Sequence, residues 1–106
     1  MTEERMKGLL GLALRARQAS VGQDACSIMI RSGKCGVLLV DGEAADNTRR
    51  KYEDLCRRTG TPVKVLPAGM IEKATGRTNM AIALQKGAFA EQFTDNAENA
   101  KPEQKD

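Results

Sequence analysis

Apolar residues recur at helical spacing near the start of the chain. Between Met6 and Leu14 they occupy the i, i+3, i+4 and i+7 positions that line one face of a helix. Thr2 stands where a capping side chain is expected, and the two glutamates after it suit the positive N-terminal end of a helix. The pattern predicts a first helix that runs to about Gln18.

A second helix is indicated by the residues at its two ends. Gly22 allows a tight turn, after which Gln23 or Asp24 would occupy the positive N-terminal end of the helix. The apolar pattern then continues to Ser32, and Gly33 stands where the first residue beyond a helix often takes a left-handed conformation. We therefore predict a second helix that runs through Ser32.

Three further helices are predicted along the rest of the chain. Asn47 is expected to cap a third helix over residues 48–59, with Gly60 as its stop signal. A short helical segment is expected over residues 69–75, and a last short helix over residues 87–93. Helical elements are thus spread over the whole chain.

Strands are predicted between these helices. Residues 37–40 read Val-Leu-Leu-Val, and a continuous apolar run is typical of a central strand that is covered on both faces. Shorter strands are predicted over residues 19–21, 63–66 and 80–84. Because helices alternate with strands, the predicted fold class is α/β, a three-layer α/β/α sandwich with a small four-stranded sheet that is mixed or parallel.

Length and composition indicate one domain. A chain of 106 residues can close a single core around one sheet. We expect that domain to occupy residues 1–93, because residues 94–106 are polar and lack apolar anchors. This tail, residues 94–106, is predicted to be disordered.

Charge and aromatic content limit the possible partners. The formal net charge is +3, and the tail holds two lysines against four acidic residues, so the remaining body carries +5. A basic excess of this size is compatible with a polyanionic partner. Aromatic residues make up only 3% of the chain, so an aromatic platform for base stacking is poorly supplied.

The residue types that most enzymes need are sparse. The chain contains no histidine, so its three cysteines, Cys26, Cys35 and Cys56, lack the usual activating base and are expected to be reduced core thiols. Neither a P-loop nor a dinucleotide-binding motif is present. Three acidic residues after the central strand, Asp41, Glu43 and Asp46, could hold Mg²⁺, although a solvated turn with a capping group is the simpler interpretation. We expect no catalysis, no metal and no cofactor.

The sequence also bears on location. No apolar run approaches the roughly 18 residues of a membrane span, and the start, Met-Thr-Glu-Glu, is acidic where a signal peptide would be basic. The expectation is a cytoplasmic protein without membrane contact that is a monomer in isolation.

Three stretches of the chain resemble a known family. The first is the turn at 22–24, with the helix after it and the Arg-Ser-Gly-Lys of residues 31–34. The second joins the strand at 37–40 to Asp-Asn-Thr-Arg-Arg-Lys at 46–51 and to Thr-Pro-Val at 61–63. The third is Ile-Glu-Lys-Ala-Thr-Gly-Arg at 71–77, followed by a strand and by Lys-Gly-Ala-Phe at 86–89. Together they resemble the ribosomal L-seven-Ae/L-thirty-e superfamily of kink-turn RNA-binding proteins, and within it the small bacterial YlxQ-type members.

The resemblance implies a function and a site. It implies a non-enzymatic, ribosomal or ribosome-associated module that binds structured RNA, typically the sharply bent internal loop called a kink-turn. The implied site is the N-terminal end of the second helix together with the loop before the last strand. Ribosomal RNA, and with it ribosomal proteins, are the implied partners. The RNA-binding residues carried over are Gly22, Gln23, Asp24, Lys73, Ala74, Thr75 and Arg77, and charge alone adds Arg15, Arg17 and Lys34 as phosphate contacts.

The chain departs from the family at its recognition motif. Kink-turn binders share a Gly-x-Asn-Glu-x-x-Lys pattern, whose positions here hold Gly22, Asp24, Ala25 and Ile28, so that only the glycine is retained. Asp24 can accept hydrogen bonds but cannot donate them as an amide would. This departure motivates an alternative function, a protein-interaction module on the same scaffold with its RNA face repurposed.

Overall fold

Helices and strands alternate along the part of the chain that the structure describes. The computed structural model describes the backbone of residues 1–100 and the side chains of residues 1–94. The elements, in chain order, are α1 (Glu3–Arg15), β1 (Ala19–Val21), α2 (Gln23–Arg31), β2 (Cys35–Asp41), α3 (Asp46–Thr59), β3 (Val63–Leu66), α4 (Met70–Thr75), β4 (Ala81–Gln85) and α5 (Ala88–Ala100).

The four strands form one mixed sheet in the order β1-β4-β2-β3. β2 and β3 are parallel, because α3 carries the chain back between them. β4 inserts between β1 and β2 and is antiparallel to both. The predicted mixed sheet is therefore confirmed, and its central strands are β4 and β2.

The sheet separates two apolar cores. Val37 and Leu39 of β2 face the core shared with α1, α4 and α5, whereas Leu38 and Val40 face the core shared with α2 and α3. All four side chains are 0% exposed. This confirms both the α/β/α sandwich and the prediction of a strand that is covered on its two faces.

Two helix ends differ from the predictions. α1 ends at Arg15, three residues before Gln18, because Arg17 adopts a left-handed φ of 61°. The N–H of Gln18 then donates to the carbonyl of Ala13, and the N–H of Arg17 to that of Leu14, which closes the last turn as a Schellman motif. A non-glycine residue rarely takes this conformation, and for that reason this end of the helix could not be predicted from the residue types.

The start of α3 also differs from its prediction. The helix begins at Asp46, and its N-cap is Ala45, so no side chain at the N-cap position makes a capping hydrogen bond. Asn47, the predicted cap, lies inside the first turn. Asp46 instead pairs with Arg49 one turn later, at 3.3 Å, so the acidic side chain supports the start of the helix from within.

The end of the described chain extends the last helix. α5 continues to Ala100 instead of ending at Phe93. The remainder of the predicted disordered tail, residues 101–106, lies outside the described residues. Among residues 1–100, every helix is too short or too polar to span a bilayer.

Candidate nucleic-acid interface

Gly22 brings the start of α2 against the loop that precedes β4. Its N–H donates to the carbonyl of Ala81 at 3.4 Å, at the point where β1 stops pairing with β4. A Cβ atom built on Gly22 would lie 3.7 Å from Oδ1 of Asn79. The two segments that the resemblance assigns to one site therefore lie side by side.

Gly22 is needed at this position for conformational reasons. Its φ of 104° with a ψ of 159° is a combination that is open essentially to glycine alone. The residue turns the chain directly from β1 into α2, so α2 starts at the edge of the sheet. Any other residue here would strain the turn, and its side chain would stand in front of the helix.

The N-terminus of α2 presents backbone donors to its surroundings. Gly22 supplies no capping side chain, and the first intrahelical bond runs from the N–H of Cys26 to the carbonyl of Gly22. The N–H groups of residues 23–25 are thus left at the positive end of the helix dipole. Gln23 and Asp24 are exposed. The N–H groups of such a helix end can donate to phosphate oxygens or to acceptor atoms of bases.

The loop before β4 is tightly wound. The hydroxyl of Thr75 donates to the carbonyl of Ile71 at 2.8 Å and accepts the N–H of Arg77 at 3.0 Å. The N–H of Asn79 then donates to the carbonyl of Arg77 at 3.0 Å. Gly76 makes the reversal possible with a φ of 76°. A short loop with this many internal bonds can present its exposed groups in a fixed arrangement.

We call residues 22–24 and 73–79 the α2–loop surface. Within it, Lys73 and Arg77 are exposed cations, whereas Ala74 and Thr75 are half-buried. The hydroxyl of Thr75 makes hydrogen bonds within the loop, and Ala74 packs against the core on the α1 side of the sheet. The predicted residues 22–24 and 73–77 are thus contiguous with one another through Asn79.

Asn79 itself was not predicted from the sequence. It belongs to no motif, and it reaches Gly22 only because Val21 pairs with Ile82 and the chains just beyond these residues meet. The strand register, and no property of the local sequence, identifies it.

Two of the three residues that were chosen by charge lie elsewhere. The N–H of Lys86 donates to the carbonyl of Lys34, and the N–H of Gln85 to that of Gln18, next to Arg17. Gly22 adjoins the other end of β4. A five-residue strand is ~16 Å long at ~3.3 Å per residue, so the structure does not bring Arg17 and Lys34 to the α2–loop surface.

Arg15 occupies a different position from both. It lines a groove of about 410 Å³ between α1 and α4, to which Ala74 also contributes. Arg15 is therefore adjacent to one member of the α2–loop surface, although its own helix does not take part in the contact between Gly22 and Asn79.

The positions at which the chain departs from the kink-turn pattern are on α2. Ala25 is half-buried, whereas Ile28 is 69% exposed, so an apolar side chain is presented where kink-turn binders have a cation. Asp24 is exposed at the second position of the helix. Side-chain recognition of RNA on this part of α2 would thus differ from the family pattern.

The three acidic residues at and after the end of β2 do not form one cluster. Asp41 is buried, and its carboxylate accepts the N–H of Glu43 at 2.8 Å and that of Gly69 at 3.1 and 3.2 Å. Asp46 points away and pairs with Arg49. In the described part of the chain no three His, Cys, Asp or Glu side chains converge as they would around a metal ion. Asp41 is a turn-forming group, as the simpler interpretation expected, but it is buried where that interpretation placed a solvated turn, and α3 begins without the expected side-chain cap.

The three cysteines are buried and free. Burial raises the pKa of Cys26 to about 12 and the pKa values of Cys35 and Cys56 to about 11. The thiol of Cys26 donates to the carbonyl of Ser20, and that of Cys35 to the carbonyl of Val37, each at 3.3 Å. All three thiols pack in the core between the sheet, α2 and α3, so they are core residues, as predicted.

Known proteins are similar to this chain in sequence or in fold. The RNA-binding protein YlxQ of Bacillus subtilis (strain 168) is 30% identical over 84 residues, which are 77% of this chain and 84% of that protein. No family model matches the chain.

Among solved structures, a protein of unknown function from Bacillus halodurans matches with a TM-score of 0.80 and 26% identity, over 88% of this chain and 96% of its own. The 15.5kD RNA binding protein of Giardia lamblia matches with a TM-score of 0.71 and 12% identity, over 91% and 86% of the two chains. At that identity the likeness shows a common fold. The identity and coverage shared with YlxQ go further: the chain belongs to the YlxQ-type family, within the L-seven-Ae/L-thirty-e superfamily.

Proposed function

We propose that this chain binds structured RNA, without catalysing a reaction, through the α2–loop surface. The observation that carries the proposal is the proximity of Gly22 to Asn79, which places the open N-terminus of α2 beside a loop held by internal hydrogen bonds. The name of the Bacillus subtilis relative, an RNA-binding protein, supports the same class of ligand.

The chemistry of the surface suits a folded RNA better than a simple polyanion. Lys73 and Arg77 can contact phosphates, but Glu72, next to Lys73 in the chain, and Asp24, on the same surface, oppose a purely electrostatic attraction. The free N–H groups at the start of α2 can donate to base edges or to phosphates. Selectivity would then come from the shape of an RNA whose bases are turned out of the helix.

The proposed RNA is ribosomal, and its neighbours in that setting would be ribosomal proteins in the cytoplasm. A kink-turn is one geometry that such a surface could hold. Because Ile28 replaces the cation of the kink-turn pattern, the backbone donors of α2 and the loop would carry more of the recognition than in other family members.

A titration against fragmented cellular RNA over a series of salt concentrations tests the proposal. We expect retention of a subset of fragments, with an affinity that falls as salt rises, because phosphate contacts release counterions. Sequencing of the retained fragments identifies the RNA, and ribosomal fragments are the expected result. If no fragment is retained at low salt, or if retention does not respond to salt, the RNA function is wrong and the protein-interaction alternative gains support.

A further inference from the structure

A groove of about 220 Å³ opens between α2 and α3 on one face of the sheet. α2 lines it with Gln23, Ser27 and Arg31, which are four residues apart and therefore share one side of the helix. α3 lines it with Lys51 and Arg58, seven residues apart and so on one side of that helix as well. Two helix faces are thus turned towards each other across the groove.

The floor of the groove is apolar and closed. Tyr52 and Leu55 lie at its base and are 5% and 8% exposed. Asp54 is the acidic residue of the lining, and it pairs with Arg57 at 3.0 Å. Its charge is therefore already offset by a side chain of its own helix.

The cations of the groove are not offset in this way. Within the described residues, the ion pairs are those of Arg49 with Asp46 and of Arg57 with Asp54. Arg31, Lys51 and Arg58 are exposed, and none of them takes part in either pair. Three like charges around one groove repel one another, and an anion between them would remove that repulsion.

The groove is continuous with the α2–loop surface. Gln23 belongs to both, and from Gln23 to Arg31 the helix rises ~12 Å at ~1.5 Å per residue. A strand of a nucleic-acid duplex advances about 3.4 Å per phosphate. The groove is therefore long enough for a short stretch of phosphodiester backbone, and it starts where the proposed RNA site ends.

We propose that the α2–α3 groove is a second phosphodiester-binding site, which takes the backbone of the RNA strand that leaves the α2–loop surface. Arg31 and Arg58 can hold phosphate oxygens in their guanidinium forks, and Lys51, two turns before Arg58 on α3, adds a further point charge to the groove. This inference rests on the proposed RNA function and adds the direction in which the RNA runs, along α2 from its N-terminus towards its C-terminus.

Two variants of α3 with the same change of charge test the groove. Lys51→Gln with Arg58→Gln removes two groove cations, and the control Arg49→Gln with Arg50→Gln removes two cations of the same helix that do not line the groove. The probe is a synthetic RNA of the sequence most enriched in the fragment titration. Each loss of a phosphate contact makes the negative slope of log K against log salt shallower by ~0.7 to ~0.9. The slope of the groove variant should therefore be shallower by ~1.4 to ~1.8, while the control keeps the slope of the unaltered protein.

A chemical footprint gives a second measurement. Lysine acetylation read by mass spectrometry should show that the RNA protects Lys51, whereas Lys86, exposed at the far end of β4, reacts equally with and without RNA. Unchanged circular dichroism and melting temperature show that the substitutions leave the fold intact.

The possible failures are distinguishable. If the unaltered protein binds no RNA, the proposed function fails, and the groove site with it. If the protein binds RNA and Arg77→Ala weakens binding, but the groove variant keeps the slope of the control, the groove site alone is overturned. The groove site is also overturned if the groove variant keeps the RNA slope of the control but no longer binds an acidic protein that the unaltered protein binds. The groove would then be a binding site for that protein.

Discussion

The carboxylate of Asp41, at the end of β2, accepts the N–H of Gly69, in the turn after β3, at 3.1 and 3.2 Å. The same carboxylate accepts the N–H of Glu43 at 2.8 Å. One side chain therefore fixes two turns at the carboxyl ends of two parallel strands. Because Asp41 is 1% exposed, water cannot replace it as an acceptor.

Replacement of Asp41 should therefore destabilise the protein strongly. Asp41→Ala leaves two partly buried backbone N–H groups without their charged acceptor, which we expect to lower the free energy of unfolding by ~3 kcal/mol. Asp46→Ala is the control, because its exposed pair with Arg49 is worth no more than about 1 kcal/mol. Urea denaturation measures both, and equal losses in the two variants would contradict the assigned role of Asp41.

Two glycines should respond in opposite directions to substitution by alanine. Gly22→Ala forces a side chain into a φ of 104° and should cost ~1 to ~3 kcal/mol of stability, and also weaken RNA binding. Gly8→Ala places a methyl group in open space on α1 and should stabilise the protein by ~0.5 to ~1 kcal/mol. Thermal unfolding and RNA titration of both variants check this, and a stabilised Gly22→Ala variant would refute the strained turn.

The position of the cations predicts which of them matter for RNA binding at the α2–loop surface. Lys73→Ala and Arg77→Ala should each weaken binding by ~1 kcal/mol, because each loses a charge-assisted phosphate contact. Arg17→Ala and Lys34→Ala make the same change of charge at the other end of β4 and should weaken binding less, because neither residue lies at the α2–loop surface. Fluorescence anisotropy with one RNA compares all four, and a uniform loss would indicate attraction by net charge without a localised site.

Stability should fall in alkaline solution because of the thiols. Burial raises the pKa of Cys26 to about 12 and those of Cys35 and Cys56 to about 11, from an ordinary value of 9.0. Between pH 9 and 11 the unfolded chain releases thiol protons that the folded chain retains, so rising pH favours unfolding. Below pH 9 both states hold these protons and the contribution is constant.

The free energy of unfolding should fall by ~1 kcal/mol per pH unit for each thiol that stays protonated only in the folded state. Urea denaturation from pH 8 to pH 11 gives the slope, and Cys26→Ala should reduce the slope by the share of one thiol. Tyr52, whose pKa burial raises to about 12, contributes in the same direction above pH 10. A flat profile up to pH 11 would show that the thiols are accessible to water.

Most of the fold could be predicted because local and global signals agree. The Val-Leu-Leu-Val run identified the central strand, and it lies in the sheet between the two cores. Gly33 was expected just beyond α2, and it takes a φ of 79° there, with the N–H of Lys34 donating to the carbonyl of Met29. Both features depend on neighbours in the sequence, which a single chain displays.

The site could be predicted only in part, because strand pairing brings its pieces together. Gly22 and the residues at 73–77 were known from a resemblance, but Asn79 follows from the register of β1 with β4. The same register separates Arg17 and Lys34 from Gly22, although all three are near one another in the sequence. The presence of a charged residue in the sequence does not indicate near which end of a strand its side chain will lie.

The central strand has a consequence for the uniqueness of the fold. β2 presents apolar side chains to both cores. If β2 moved by one residue relative to β3 and β4, the side chains that face the two cores would change places, and none of them would become exposed. Burial of apolar surface therefore hardly distinguishes the two alignments. Asp41 does, because the shift would carry its carboxylate away from the N–H of Gly69 and leave a charge in the core. The buried acidic side chain thus favours one of the two alignments, and Gly36 favours the same one, because a Cβ atom at its position would lie 2.7 Å from the Cβ of Ala90.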